Sequence, residues 1–337
     1  MARFVVRRML WMCLVLFVVS AITFGLMHAV PGGPFTLEKR LPQAAIEQLN
    51  AKYHLDAPLY LQYAYYVRDI LVPVVTSGEQ SAYLDHEYLV NLPLPFGDRT
   101  TFRWMNFGPS YWSINRTVND IFRDNLPVSM KLGAAGILVS MLIGIPLGVV
   151  SALRHNSFVD YLATGVAVLG VSVPVIILGP ILQYVLGVHF RLLPVSGWGD
   201  WRYLVLPAIA LGVADAALLA RLTRATLLQV LHQDYIRTAR AKGATEYRVI
   251  VGHALKNSLI PIVTVLGPMV ASLLTGTFVV ETMFGIPGAG KYFVSSVSGR
   301  DYPVIMGTVL LFAIFLVVAN TLVDIAYAWL DPRIRYQ

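Results

Sequence analysis

Three sets of residues in this 337-residue chain are of types that could do chemistry. Gly285-Ile286-Pro287-Gly288-Ala289-Gly290-Lys291-Tyr292 meets three of the four fixed positions of a phosphate-binding loop. That loop needs glycine N–H groups around the phosphates, a lysine, and a Ser or Thr hydroxyl for Mg²⁺. Tyr292 stands where the hydroxyl is required, and a long apolar run precedes the motif instead of a strand, so these residues read as a glycine turn. The seven histidines (28, 54, 86, 155, 189, 232 and 253) contain no i,i+4 pair and no Cys/His cluster. A protein-built metal site is therefore not expected. No G-x-S-x-G or H-E-x-x-H pattern occurs, so no catalytic residue and no enzyme activity are expected in this chain. The remaining candidates are acids, Asp215 and Glu281, and their meaning depends on where the chain places them.

Composition decides that. The chain is 56% hydrophobic and 13% charged, with mean hydropathy +0.64. A soluble domain usually carries about twice that charged fraction. The charges cluster and leave six apolar stretches: 9–30, 132–153, 161–188, 203–220, 257–280 and 302–323. Each approaches or exceeds the roughly 20 residues needed to cross a bilayer. Backbone groups in lipid must be satisfied within the segment, so an all-α polytopic membrane protein with six transmembrane helices is expected. The first stretch is too long for a signal-peptide core and reads as a retained anchor. Cys13 lies inside it with no partner cysteine, which excludes a disulfide scaffold.

Placing the N-terminus inside puts 13 Lys and Arg residues in segments 1–8, 154–160, 221–256 and 331–337, against 2 each in the outer loops 189–202 and 284–301. The orientation is therefore N-in, C-in. The net charge of +7 reflects this asymmetry and not nucleic-acid binding, for which no basic aromatic stripe is present. The domains expected are an N-terminal tail and first span (1–30), an external insertion (31–127), a core of five spans (128–330) and a cytoplasmic tail (331–337). In the insertion, Pro42–Leu55 and Pro58–Val72 read as helices, 73–113 as an irregular docking surface or packed lid, and Arg116–Asn125 as a short helix ending before Pro127.

Asp215, within the fourth span, is expected to lie on a substrate or water path or to pack against a polar group of a partner. Glu281, near the outer end of the fifth span, either touches substrate at the entry or reaches out to headgroup level. Asn320 and Asp324 share one face of the sixth span and read as a structural pair with Arg333 or Arg335 near them.

Segment 221–256 is too basic to enter lipid and too rich in helix formers for a floppy linker. Residues 222–241 read as one helix with Leu227, Leu228 and Leu231 on its apolar face; Gly243 breaks it, and 244–256 form a second helix. Small residues at the bend would let another protein approach closely, with Arg237, Arg240 and Lys242 facing acidic groups. A loop that packs only on its own bundle fits the same pattern.

The run Asp234-Tyr-Ile-Arg-Thr-Ala-Arg-Ala-Lys-Gly243, followed by His253-Ala-Leu-Lys-Asn257 and Pro261, resembles the coupling loop of ABC-importer permeases of the dipeptide/oligopeptide/nickel subfamily. The resemblance continues through Leu126-Pro127-Val128-Ser129, Phe284-Gly285, Arg300-Asp301-Tyr302 and Asp331-Pro332-Arg333, and is greatest to the B-type membrane subunit of oligopeptide importers. Residues 73–106 look longer than the family pattern. The resemblance implies a type I importer permease fold in the inner membrane of a bacterium. It implies pairing with a homologous second permease, two cytoplasmic ATPases that bind the ATP and Mg, and an external substrate-binding protein delivering peptide. The chain itself would hold no cofactor. Asp234, Arg237, Thr238, Ala239, Arg240, Ala241, Lys242, Gly243 and His253 would then form the ATPase-coupling loop, with Asp215 and Glu281 as translocation-path residues. The same architecture carrying dipeptides or nickel chelates, or a channel or secondary transporter acting alone, are the alternatives.

Overall fold

Five helices are long and apolar enough to cross a membrane in the computed structural model, which describes residues 2–35, 43–95, 100–113, 115–274 and 277–330. They are α1 (Ala2–Ala29), α4 (Val118–Leu153), α7 (Trp201–Leu231), α9 (Lys256–Leu274) and α12 (Tyr302–Leu330). The third expected span is broken. Helix α5 (Phe158–Ser172) meets α6 (Val175–Leu182), which runs on through a π-helical turn at Gln183–His189, at an angle of 104°. The expected single span 161–188 is thus two pieces. Pro174 forces Val173 into the extended region (φ −90°, ψ 112°), where a helix cannot continue.

Four other helix expectations need correction. Helix α4 does not stop before Pro127 but passes through it, because one missing N–H is outweighed by the faces buried on either side, Ile121 and Phe122 before it and Leu132 after it. Residues 222–241 are not one helix: α7 continues from the fourth span to Leu231, and α8 (Asp234–Ala241) starts afresh. Residues 244–256 are not a separate helix either, since a π-helical turn at Arg248–Leu255 leads straight into α9. The fifth span ends early, at Leu274, and a short α10 (Phe278–Met283) follows.

The chain divides into two compact units. One comprises Met1–Met9, Val128–Gly288 and Phe315–Gln337, and its core is built on Leu132, Leu206, Leu219, Ile262, Val280 and Phe284. Within it α4 lies against α7 through small residues. A Cβ at Gly144 would sit 2.5 Å from the Ala216 carbonyl oxygen, and one at Gly148 would be equally close to that of Ala220. This is the close backbone approach that a Gly-x-x-x-Gly spacing permits between membrane helices.

The other unit comprises Leu10–Pro127 and Ala289–Ile314, so the expected insertion is grouped with most of α1, with α11 (Gly290–Gly299) and with the start of α12. It contains α2 (Gln43–Lys52) and α3 (Leu59–Leu71), close to the two helices expected; Pro42 lies outside the described residues. Segment 73–113 is not irregular. It holds an antiparallel sheet in the order β1 (Val74–Thr76), β3 (Thr101–Trp104), β2 (Val90–Pro93). Fully buried Arg103 on the central strand joins the flanking strands, donating to Thr76 Oγ1 (2.8 Å) and Asn91 Oδ1 (2.9 Å) and pairing with Asp85 (2.7 Å). Below the sheet Phe107, Val118, Ile121, Phe122, Val304 and Leu310 form the unit's core. Buried Asp301 accepts from Ser110 Oγ (2.5 Å) and from the backbone N–H groups of Tyr111 and Trp112. Burial, and then that carboxylate, push the Tyr111 hydroxyl far above the usual phenol range. The tail 331–337, with Arg333 and Arg335, lies outside the described residues.

Candidate coupling elbow and intramembrane acids

Helix α8 has two faces of opposite character. Ile236 is fully buried, packed in one cluster with Leu227 of α7, Ala152 of α4, and Val249 and Ala254 of the π-helical turn. Ala239, three residues on and therefore on the same face, joins that cluster half-buried. Asp234, Arg237, Thr238, Arg240, Ala241, Lys242, Gly243 and His253 are all exposed. Local chemistry sets the ends of the helix. Asp234 in the first turn complements the positive end of the helix dipole. At the other end Gly243 N–H donates to the Arg240 carbonyl (2.9 Å) and Ala244 N–H to that of Ala239 (3.2 Å). These two bonds form the Schellman pattern, which requires a left-handed residue at Gly243 (φ +76°). A Cβ added at Gly243 would meet nothing within 4 Å. The bend is therefore held by backbone geometry alone, and the space beside it is open.

The charges on the outer face are barely used within the chain. Arg237, 71% exposed, comes no nearer to Asp234 than 3.7 Å, and Arg240 makes a surface pair with Glu246 at 2.8 Å. Such pairs contribute about 0–1 kcal/mol. What the elbow stands on is tied more firmly. Buried Asp160 takes Nε and Nη2 of Arg224 at 2.7 Å each, accepts from the Ser151 hydroxyl, and receives Asn156 N–H at 2.9 Å. That carboxylate links α5, the end of α4 and α7, two turns before α7 gives way to the elbow. The sequence reading missed this pair, which is 64 residues apart in the chain. Its one local signal is Ser157 three residues before Asp160, a serine-started helix N-terminus.

The two acids proposed for a path behave differently. Asp215 is half-buried on α7 and makes no hydrogen bond or ion pair among the described residues. Glu281 is fully buried on α10 and accepts from Ser129 Oγ of α4 at 2.6 Å. Gly288 packs directly against its carboxyl, and Ile286 N–H bonds to its carbonyl. Glu281 thus does not reach toward headgroups. A helix that ends at Leu274 turns it back into the bundle. The glycine turn expected at 285–290 is present, with Gly285 at φ +64°. Asp324 pairs with Arg8 of α1 at 2.8 Å, the same guanidinium reaching Thr321, while Asn320 packs against α9 at Gly267. Arg8 is thus a partner of this face that the sequence reading did not name; Arg333 and Arg335 lie outside the described residues.

This is a multi-pass helical membrane protein, with an exposed basic elbow set between its fourth and fifth spans. Residues 144–336 match the family model of the binding-protein-dependent transport system inner membrane component, and 1–82 match the model of the N-terminal part of such membrane components. The chain belongs to that family. Over 99% of its length it is 43% identical to the dipeptide transport system permease protein DppB of Bacillus subtilis, covering 98% of it. It is 37% identical to the oligopeptide transport system permease protein OppB of Salmonella typhimurium over the whole of both chains. Those end-to-end matches span 335 and 338 positions, so 73–106 is not an added segment relative to them. A chain of the MetNI methionine ABC transporter, solved in inward-facing conformations, is similar in fold at TM-score 0.50 and 19% identity, over 63% of this chain and 96% of that one. The fold is that of an ABC-importer permease.

Proposed function

We propose that this chain is one of two related permease subunits of an ATP-driven oligopeptide importer in a bacterial inner membrane, and that the α8 elbow is the handle by which cytoplasmic ATPases move it. The observation that carries this is the two-faced elbow, with Ile236 fixed to the bundle and Arg237, Thr238, Ala241, Lys242 and Gly243 left facing outward. An elbow that only packed on its own bundle would be expected to use its basic groups within the chain, whereas Arg237 and Lys242 face outward. ATP and Mg belong to the partner ATPases, and an external binding protein supplies the cargo. Asp160 and Arg224 make the footing under α7 stiff, so a push on α8 is delivered to the spans. The motor does useful work only if its contact with the elbow differs between its nucleotide states. Asp215, unpaired among the described residues, is the residue assigned to the path, and Glu281 a residue holding the outer turn in place.

Identity to both oligopeptide and dipeptide permeases supports peptide cargo. The test is reconstitution with the candidate second permease, ATPases and binding protein. Hydrolysis should rise when binding protein and a four- or five-residue peptide are added together, and more than with a dipeptide. A greater response to dipeptide would reassign the cargo. Transport by the lone chain without nucleotide would remove the importer reading altogether.

A further inference from the structure

Helix α3 buries none of its residues within the chain. Its sequence, Leu59-Tyr-Leu-Gln-Tyr-Ala-Tyr-Tyr-Val-Arg-Asp-Ile-Leu71, is largely apolar and carries tyrosines at 60, 63, 65 and 66. A helix of that composition in a water-facing domain would bury an apolar stripe. Tyr63 fixes where the helix lies. Its hydroxyl bonds Ser20 Oγ of α1 at 2.7 Å, and its ring packs on Phe24 with centroids 5.2 Å apart. Ser20 is about 14 Å in from the Ala29 end of α1, at 1.5 Å per residue, inside the candidate span Arg7–Ala29. With the N-terminus inside, Ala29 is the outer end. Helix α3 therefore lies against the outer half of the first span, and tyrosine is enriched at that boundary between lipid and water.

The chain leaves α3 through Leu71-Val72-Pro73-Val74-Val75, consecutive apolar residues that are all exposed. On a water-facing surface such a run is a defect unless something covers it. It leads into a sheet whose polarity is reversed. Strand pairing sets Val75, Phe102 and Leu92 opposite one another and Val90 opposite Trp104, so these residues share one face. All are apolar, and Val75 and Leu92 are 60% and 54% exposed. Arg103 and Asn91 occupy the other face, where the arginine is fully buried. A sheet with one side in water turns its polar face outward and its apolar face to the core. This sheet does the opposite. Trp104 Nε1 donates to the Leu71 carbonyl (3.2 Å), which ties the apolar face to the end of α3.

Continuity with a helix held at membrane depth sets the occupant of this surface. The paired strands place no charge on the apolar face, so it offers a soluble partner nothing to steer by, and it suits acyl chains. The two charges of α3, Arg68 and Asp69, pair with each other at 2.8 Å and can reach the headgroup layer. We propose that α3, the run Leu71–Val75 and the apolar face of the sheet rest in the outer leaflet of the bilayer. This part of the insertion then grips the lipid surface beside the first span instead of standing in water.

The test uses the purified full chain, alone in phosphatidylcholine nanodiscs, with Cys13→Ser as background. A nitroxide is attached at Tyr60→Cys, Val75→Cys or Leu92→Cys, and at Tyr83→Cys on an exposed turn as the water-facing reference. Oxygen concentrates in lipid and a nickel chelate stays in water. The ratio of oxygen to nickel-chelate accessibility should be at least about fivefold higher at each of the three positions than at Tyr83, because the hydrocarbon holds no water. Nickel accessibility equal to that of Tyr83 at any of the three would overturn the proposal and leave the surface to a soluble partner. Shielding from both reagents would overturn it too, since a second copy of the chain would then cover the face. Leu59, Val72 and Leu94, exposed on the same surface, take the label where one of the three variants does not fold. No transport is measured, so a failure here would leave the importer reading standing.

Discussion

Two arginines show how differently two regions of this chain use the same side chain. Arg103, in the sheet of the insertion, is fully buried and its guanidinium reaches Thr76, Asn91 and Asp85. Arg237, on the elbow, is 71% exposed and its best partner is 3.7 Å away. The first has had its charge consumed by folding. The second keeps its charge for something outside the chain. A charge that the fold does not need, on a helix that the fold does hold in place, is what a docking surface requires.

The comparison can be broken most forcefully at Arg103. Arg103→Ala removes the group that joins both flanking strands; Asp85, 54% exposed, is left to water, but Thr76 Oγ1 and Asn91 Oδ1 each lose their arginine donor at about 1–3 kcal/mol, together the largest loss expected. Limited proteolysis should then cut within 74–104 at protease levels the native chain withstands, with the elbow unaffected. Asp160→Asn should cost less, about 2–3 kcal/mol, because Arg224 retains 30% exposure and can turn to water. Thermal unfolding in detergent reads this, and ATP-coupled uptake should fall as the footing under α7 loosens. Gly243→Ala should cost about 1 kcal/mol from backbone strain alone, since no atom of this chain lies near the added methyl. Gly243→Trp strains the same backbone and meets no atom of this chain within 4 Å at its Cβ; a far greater loss of uptake than in the alanine variant would locate the obstruction in a partner. The smallest effect on stability belongs to Arg237→Ala, within about 0.5 kcal/mol. If the comparison is right, this variant folds normally and yet transports poorly; normal transport would mean that its free charge has no use.

Local features of the sequence were legible, and features made by distant residues were not. The apolar runs marked the membrane helices because hydropathy is a property of each segment alone. The elbow was visible for the same reason, since Gly243, the small residues at the bend and the basic Arg237, Arg240 and Lys242 lie within a few residues; that Ile236 is its anchor was not. Prolines misled. Pro174 breaks a span, whereas Pro127, Pro180, Pro207, Pro261 and Pro268 all lie inside helices, so residue type alone did not separate kinks tolerated by packing from real breaks. The sheet was hidden because its central strand buries a charge where the pattern calls for an apolar residue. Glu281 was misplaced because its partner, Ser129, lies 152 residues upstream, and Asp160 was overlooked because Arg224 is equally invisible from its neighbourhood.

The central claim, that α8 is gripped from the cytoplasm, is tested most directly by proximity. With Cys13→Ser as background, a single cysteine at exposed Ala241 would carry a short thiol cross-linker in membranes containing the assembled importer. The account predicts a cross-link to an ATPase subunit whose yield changes with ATP, and no labelling by an impermeant thiol reagent added outside intact cells. Labelling from outside, or cross-links confined to the chain itself in every nucleotide state, would contradict it.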